Sequence, residues 1–136
     1  MNWDVNLVAG LVAGVAAMVP GAVIYAPNVL GTRWMKEIGT SPEKMKAQGG
    51  NPAKAMSMML AVSLMNGLVA SVAVSLAGAA TVKEAFDVAM ILAWFWISAS
   101  LMLVFFENRT WGWFWISALS HVITAAVIGV VLGLFL

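Results

Sequence analysis

The chain has 136 residues, of which 62% are hydrophobic and only 10% carry a formal charge, and its mean hydropathy is +0.95. Soluble domains are about half apolar and about a quarter charged, so this composition excludes an ordinary soluble domain and indicates a surface that faces lipid. The net charge of +1 gives no sign of nucleic-acid binding, and the lack of cysteine excludes disulfides, thiolate catalysis and Cys-ligated metals.

Four long uncharged stretches follow one another along the chain. They are residues 5–32, 55–82, 88–106 and 110–136. A helix needs about 20 apolar residues to cross the ~30 Å hydrocarbon core of a membrane, because each residue adds ~1.5 Å. We therefore predict an all-α protein in which residues 1–136 form a single membrane domain, a four-transmembrane-helix bundle. The predicted spans cover approximately residues 4–30, 53–80, 84–106 and 111–135.

The first stretch is predicted to be a retained membrane helix. No Lys or Arg precedes it, and it is longer than the apolar core of about 7–15 residues in a signal peptide. Asn2 is predicted to cap this helix, with Asp4 near its positive end. Pro20 is predicted to kink the helix and to free a carbonyl near Ala16. Such a kink can be purely structural or can line a binding site.

The connection between the first two spans, about residues 31–51, is the one long loop. A short helix around Trp34 would place Trp34 and Ile38 on one side, which suits a helix lying in the membrane interface. An irregular loop with one aromatic anchor is the alternative. Ser41 and Asn51, each followed by proline, predict the start of a further short helix and of the second span.

The last two spans have their own start signals. Thr81 and Glu84 predict a capping box at the third span, and Thr110 is a candidate cap for the fourth. The short turn between these spans holds Glu107 and Arg109, which we predict to form an interfacial ion pair. The pair can serve gating or ligand binding, or it can be a helix-end salt bridge without further function.

The distribution of basic residues predicts the orientation in the membrane. Two connections, 1–2 and 3–4, hold six of the seven basic residues, whereas the other side holds only Lys83. The six are Arg33, Lys36, Lys44, Lys46, Lys54 and Arg109. Because short cytoplasmic loops are enriched in Lys and Arg, both connections are predicted to be cytoplasmic. We expect a multi-pass protein of the cell (inner) membrane with both termini extracytoplasmic.

Few polar residues lie deep in the spans, and two of them are at matching depth. Asn66 lies 12 residues after Lys54, and His121 lies 12 residues after Arg109. Both spans leave the cytoplasmic face, so each side chain is predicted to lie ~18 Å into the membrane. We expect the two to meet in an intramembrane polar centre, since an isolated polar group in hydrocarbon is costly. Further members, on the same two helices, are Ser63, Ser117 and Thr124.

His121 has two interpretations. An ionisable residue inside a membrane is a candidate for function, and histidine titrates near neutral pH. A histidine can instead be a structural contact that forms a hydrogen bond across helices. One histidine without cysteine or a buried carboxylate cannot supply three or four ligands, so no metal site and no cofactor are expected.

Small residues recur at four-residue spacing on several spans. They include Gly10, Gly14, Gly67, Gly129 and Gly133. Small residues let helix backbones approach closely in lipid, which predicts tight packing within the bundle or in a homodimer. Trp94 and Trp96 lie within the third span, where they can pack between helices or form the wall of a small hydrophobic pocket.

Two groups of residues together resemble a known family. The first runs from Pro20 and Gly21 through Tyr25-Ala26-Pro27 to Gly31 and Trp34, and the second is Phe105-Phe106-Glu107-Asn108-Arg109. The layout is similar to that of the small four-span bacterial and archaeal membrane proteins grouped as domain of unknown function 1761. Ile24 departs from the Trp-Tyr pair usual in that family. The resemblance implies the four-span architecture and no particular chemistry.

Three classes of function remain open. An enzyme is not expected, because the sequence has no nucleophile–base set, paired carboxylates or phosphate loop. A small homo-oligomeric transporter or channel is the second class. The first span has no acidic residue that such a protein could use as its polar site, so the site would have to be the Asn66 and His121 level. The favoured interpretation is a non-catalytic membrane component that binds lipid or partner subunits, with the bilayer and a homodimer or a partner membrane subunit as expected partners.

Overall fold

The computed structural model describes residues 5–136, and these residues are helical without strands. The helices are α1 (Leu7–Ala16), α2 (Met18–Ile24), α3 (Thr32–Glu37), α4 (Pro42–Ala47), α5 (Pro52–Leu76), α6 (Val82–Phe106) and α7 (Trp111–Gly133). Helices α1 and α2 together, α5, α6 and α7 are each long and apolar enough to cross a membrane. This confirms the predicted all-α class with four apolar spans.

The first span begins later and ends earlier than the predicted 4–30. It covers Leu7–Ile24, and its cap is Asn6, whose Oδ1 accepts a hydrogen bond from the Ala9 N–H at 2.9 Å. The predicted roles of Asn2 and Asp4 fall outside the described residues. The helix is interrupted at Ala17, three residues before the buried Pro20. Proline cannot donate to the carbonyl four residues earlier and its ring crowds that carbonyl, which accounts for the interruption here.

A tight turn ends the first span. Ala26 is extended, as expected for a residue before proline, and Pro27–Gly31 then forms a π-helical segment in which the Gly31 N–H donates to the Ala26 carbonyl at 3.0 Å. Helix α3 follows directly and brings the Trp34 ring edge-on to the Tyr25 ring, with centroids 5.4 Å apart. The loop therefore turns back beneath the end of the first span, and α4 completes it.

The remaining helix starts agree with the sequence signals. Each cap oxygen accepts a hydrogen bond from the backbone N–H three residues later, and the caps are Ser41, Asn51, Thr81 and Thr110. At α6 the Glu84 carboxylate also accepts from the Thr81 N–H at 3.1 Å, which completes the capping box. These local patterns place the starts of α4 to α7 within two residues of the predicted ones.

Close glycine contacts join the long helices in two pairs. In the first pair, Gly14 of α1 lies against α5, so that an added Cβ would stand 2.7 Å from the Leu64 Cα and the Ser63 carbonyl oxygen. Gly67 of α5 likewise lies against the Gly14 backbone. The backbones of α1 and α5 can approach this closely only because glycine has no side chain at these positions. Ser63 Oγ adds a hydrogen bond to the Gly14 carbonyl at 2.7 Å.

The second pair consists of α6 and α7. A Cβ on Gly129 would lie 2.7 Å from the Phe86 Cα, and one on Gly133 would lie 2.5 Å from the Val82 Cα. The small residues predicted to pack either within the chain or in a homodimer therefore make contacts within the chain. Gly10 does the same, because its nearest neighbours are Leu68 and the Gly67 carbonyl.

A core of mostly small side chains connects the two pairs. It consists of Ala9, Ala13, Ala17, Ala70, Val74, Ala85, Ile128 and Leu132. Helix α1 packs against α7 across this core, and α5 contacts α6 and α7 far less extensively than it contacts α1. A cavity occupies the space left between α5 and the α6–α7 pair.

Candidate functional site

A cleft of about 480 Å³ lies between α5, α6 and α7. Its walls are mainly apolar and include Val62, Leu92, Phe95 and Ile128. Three polar side chains also line it: Asn66 from α5, and His121 and Thr124 from α7. A predominantly apolar cavity with a few polar groups is the usual form of a small-molecule site.

The polar part of the cleft is near the middle of each helix. Asn66 is 14 residues after Pro52 and 10 before Leu76, which corresponds to ~21 and ~15 Å along α5. His121 is 10 residues after Trp111 and 12 before Gly133, or ~15 and ~18 Å along α7. The side chains expected at one depth therefore line one cavity.

His121 also contacts an aromatic ring at this level. The Trp96 indole lies beside the imidazole, with ring centroids 5.8 Å apart and planes tilted by 33°. Trp96 also lines the cleft. Of the two positions predicted for the tryptophans of the third span, between helices or in the wall of a pocket, Trp96 therefore occupies the second. Trp94 does not line the cleft and is two-thirds exposed.

Asn66, His121 and Thr124 retain hydrogen-bonding capacity. Among residues 5–136, no side-chain hydrogen bond joins Asn66 to His121, and none joins either of them to another group. No Lys, Arg, Asp or Glu of the described chain lines the cleft. The cleft thus offers an amide, an imidazole and a hydroxyl in otherwise uncharged surroundings.

The cleft opens sideways between α5 and α6. Val69, Phe95 and Trp96 line it and are nonetheless 55%, 68% and 52% exposed. Surfaces of apolar side chains at the middle of such helices face hydrocarbon when the helices span a membrane. A molecule in the surrounding lipid could therefore enter from the side.

The two other predicted members of the polar centre lie elsewhere. Ser63 donates its hydrogen bond to the Gly14 carbonyl and so belongs to the α1–α5 contact. Ser117 is buried in α7, one turn before His121, and does not line the cleft. Sequence spacing placed all of these residues on shared helix faces, but only the tertiary packing decides which of them reach the cavity.

Glu107 and Arg109 do form an ion pair in the turn between α6 and α7. The Arg109 Nε is 3.7 Å from a Glu107 carboxylate oxygen, and both side chains are about half exposed. The guanidinium also lies 5.7 Å from the centre of the Trp113 ring. An exposed pair of this kind contributes about 0–1 kcal/mol, and it is far along the helices from the cleft.

One polar contact at this end of the molecule was not predicted. The Glu37 carboxylate accepts a hydrogen bond from the Thr110 hydroxyl at 2.5 Å and lies against Gly112 at the start of α7. Arg33 is 3.9 Å from the same carboxylate. The contact joins residues 73 positions apart, so no local sequence signal could have revealed it.

Comparison with known proteins provides the family. The model of the family described as "Protein of unknown function (DUF1761)" matches residues 8–133, nearly the whole chain. The chain belongs to this family. No curated protein and no solved structure matched the chain. The resemblance first seen at Tyr25-Ala26-Pro27 and Glu107-Asn108-Arg109 is therefore confirmed, and the family brings no activity with it.

In this family member, several of the residues that carried the resemblance lie at one end of the helices. Tyr25 packs on Trp34, and Gly31 lies against the Tyr25–Ala26 backbone. The Glu107–Arg109 turn leads into Thr110, which contacts α3 through Glu37. These contacts shape the loop end, whereas the cleft with Asn66 and His121 is half a helix length away.

Proposed function

We propose that this protein is a non-catalytic membrane component that binds a lipid-like molecule in the cleft between α5 and the α6–α7 pair. The observation that carries the proposal is the cleft itself. It has a volume suited to a small ligand, apolar walls, three polar side chains and an opening towards the lipid-facing surface. An apolar molecule dissolved in the bilayer would reach it without crossing water.

The non-catalytic part of the proposal rests on the chemistry of the lining. His121 is the one titratable side chain among the described lining residues, and no carboxylate accompanies it. General acid–base and nucleophilic mechanisms need further groups positioned by hydrogen bonds. Binding needs only the shape and the polar groups already present.

Lipid is favoured over a partner subunit as the bound species. The small-residue faces that could have formed a homodimer are occupied by contacts within the chain at Gly14, Gly67 and Gly129. A partner subunit or second copy would instead have to use the exposed outer surfaces. Those surfaces carry large apolar side chains, which lipid covers equally well.

The test is to obstruct the cleft and measure which lipids remain bound. Val69 lines the opening and is 55% exposed, while Val15 on α1 is equally exposed and does not line the cleft. Val69→Trp should reduce the lipid retained by the purified protein in native mass spectrometry, whereas Val15→Trp should leave it unchanged. Equal retention by both variants and the parent protein would refute binding in the cleft.

A transporter is the second candidate, and one observation favours it. The cleft lies between two helix pairs that are each tightly joined by glycine contacts, so the pairs could rock against each other around a central site. Proteoliposomes loaded with a pH-sensitive dye would report proton flux. Flux that is lost in His121→Ala while Ser117→Ala retains it would favour transport, and the absence of flux in the parent protein would count against a proton-coupled transporter.

A further inference from the structure

We infer that the ligand of the cleft is an uncharged lipid whose head carries carbonyl or hydroxyl oxygens, as in a diacylglycerol or a prenylated quinone, and not a phospholipid. The inference rests on the proposed function and specifies its ligand class. Three independent features of the cleft support it: its depth, its lack of charge and its free polar groups.

The depth of the polar groups separates lipid classes. Asn66 and His121 are both ~15–21 Å from either end of their helices, so they lie near the bilayer midplane when the helices span it. Phospholipid headgroups remain at the interface with water. Uncharged lipids with small heads can reach the midplane, because little hydration is lost on the way.

The electrostatics of the cleft support the same class. No charged side chain among residues 5–136 lines it, so a phosphate there would lack a counter-ion in a low-dielectric environment. Taking an unpaired charge out of water costs several kcal/mol. An uncharged carbonyl or hydroxyl has no such penalty once it is hydrogen-bonded.

The polar groups match oxygen atoms on a ligand. The Asn66 amide, a His121 ring N–H and the Thr124 hydroxyl can each donate a hydrogen bond, and within the described chain none of them is already engaged. Thr124 and the Asn66 carbonyl can also accept one from a hydroxyl head. The apolar tail would leave through the opening beside Val69 and Phe95, where the surrounding lipid can accommodate it.

The experiment uses the full chain in nanodiscs and compares two probes with the same acyl chains, dioleoylglycerol and dioleoylphosphatidylglycerol. A quinone with a decyl tail is a third probe. Retention on the released protein is measured by native mass spectrometry. We expect the two uncharged probes to be retained at least about tenfold better than the phospholipid. We also expect Thr124→Val and Asn66→Leu each to lower the retention of the uncharged probes about three- to tenfold, because each substitution removes one hydrogen bond to the probe.

Thr124→Val keeps the shape of the side chain, so it gives an answer even where Asn66→Leu fails to fold. Thermal unfolding in detergent identifies that case. Preferential retention of the phospholipid, with loss in Val69→Trp, would overturn the uncharged ligand and leave lipid binding intact. Retention that no cleft variant alters would overturn both the inference and the proposed function.

Discussion

Gly14 shows how much depends on a missing side chain. Because Gly14 has no Cβ, α1 can lie directly against the backbone atoms of Ser63 and Leu64. Backbone atoms, unlike the end of a flexible side chain, cannot move aside to make room for an added methyl group. We therefore expect Gly14→Ala to push α1 and α5 apart and to reduce stability by about 1–3 kcal/mol, the usual cost of overpacking. Thermal unfolding of the purified protein in detergent measures this as a lower midpoint.

Gly21 is the matched control for this substitution. It lies on the same span, but a Cβ there would meet only the end of the Met59 side chain, at 4.0 Å. Gly21→Ala should leave the unfolding midpoint within experimental error of the parent protein. Similar destabilisation by both substitutions would contradict the intramolecular helix contact. The oligomeric state should not change with Gly14→Ala, because this face is already occupied within the chain.

The polar residues of the spans show which features of the cleft the sequence predicts and which it does not. Asn66 and His121 were predicted to share a depth because each follows a basic residue by 12 positions, and both line the cleft. Ser63 and Ser117 were grouped with them by helix periodicity, yet they lie outside the cleft. Periodicity gives the face of a helix, but the neighbour on that face depends on packing between distant segments.

Among the helices, the loop helix α3 is joined to α7 by a side-chain hydrogen bond. The Glu37 carboxylate binds the Thr110 hydroxyl at the positive N-terminal end of α7, an arrangement that stabilises a helix start. Glu37→Ala should therefore lower the free energy of local unfolding of α3 by about 1 kcal/mol. This corresponds to about fivefold faster amide exchange in residues 32–37. Hydrogen-exchange mass spectrometry in detergent measures this rate.

Glu43 provides the control within the same loop. It lies in the first turn of α4 and is fully exposed, with its pKa lowered by hydrogen bonds from its own backbone N–H and from Ser41. Glu43→Ala should leave exchange in residues 32–37 unchanged. If both variants exchange at the parent rate, the Glu37–Thr110 contact does not hold α3 in solution.

The distribution of basic residues predicts the direction of the protein in the membrane. Six basic residues at the loop end against Lys83 at the other predict that the loop end faces the cytoplasm. A reporter fused after Leu136 should then be active only outside the cytoplasm, and one inserted near Gly49 only inside. The reverse pattern would overturn the orientation. The cleft proposal would stand, because Asn66 and His121 lie near mid-helix from either side.

The four apolar helices and most of their boundaries follow from the sequence alone. Length and hydropathy are properties of contiguous segments, and the caps at Ser41, Asn51, Thr81 and Thr110 act within three residues. The interruption of the first span near Pro20 was likewise predictable, since the conflict of proline with a preceding carbonyl is local. The earlier end of that span, at Ile24, required the extended Ala26 and the π-helical turn that follows it.

How these helices pair, and where they leave space, depends on packing between segments that are distant in the sequence. Gly14 could have packed on any helix or on another chain, and its position against Leu64 depends on residues 50 positions away. The same packing brings Asn66, Thr124 and Trp96 to one cleft and ties Glu37 to Thr110. In lipid no hydrophobic driving force distinguishes one apolar face from another, so shape and a few hydrogen bonds choose the partners. Those are properties of surfaces in contact, which a linear pattern of residues does not specify.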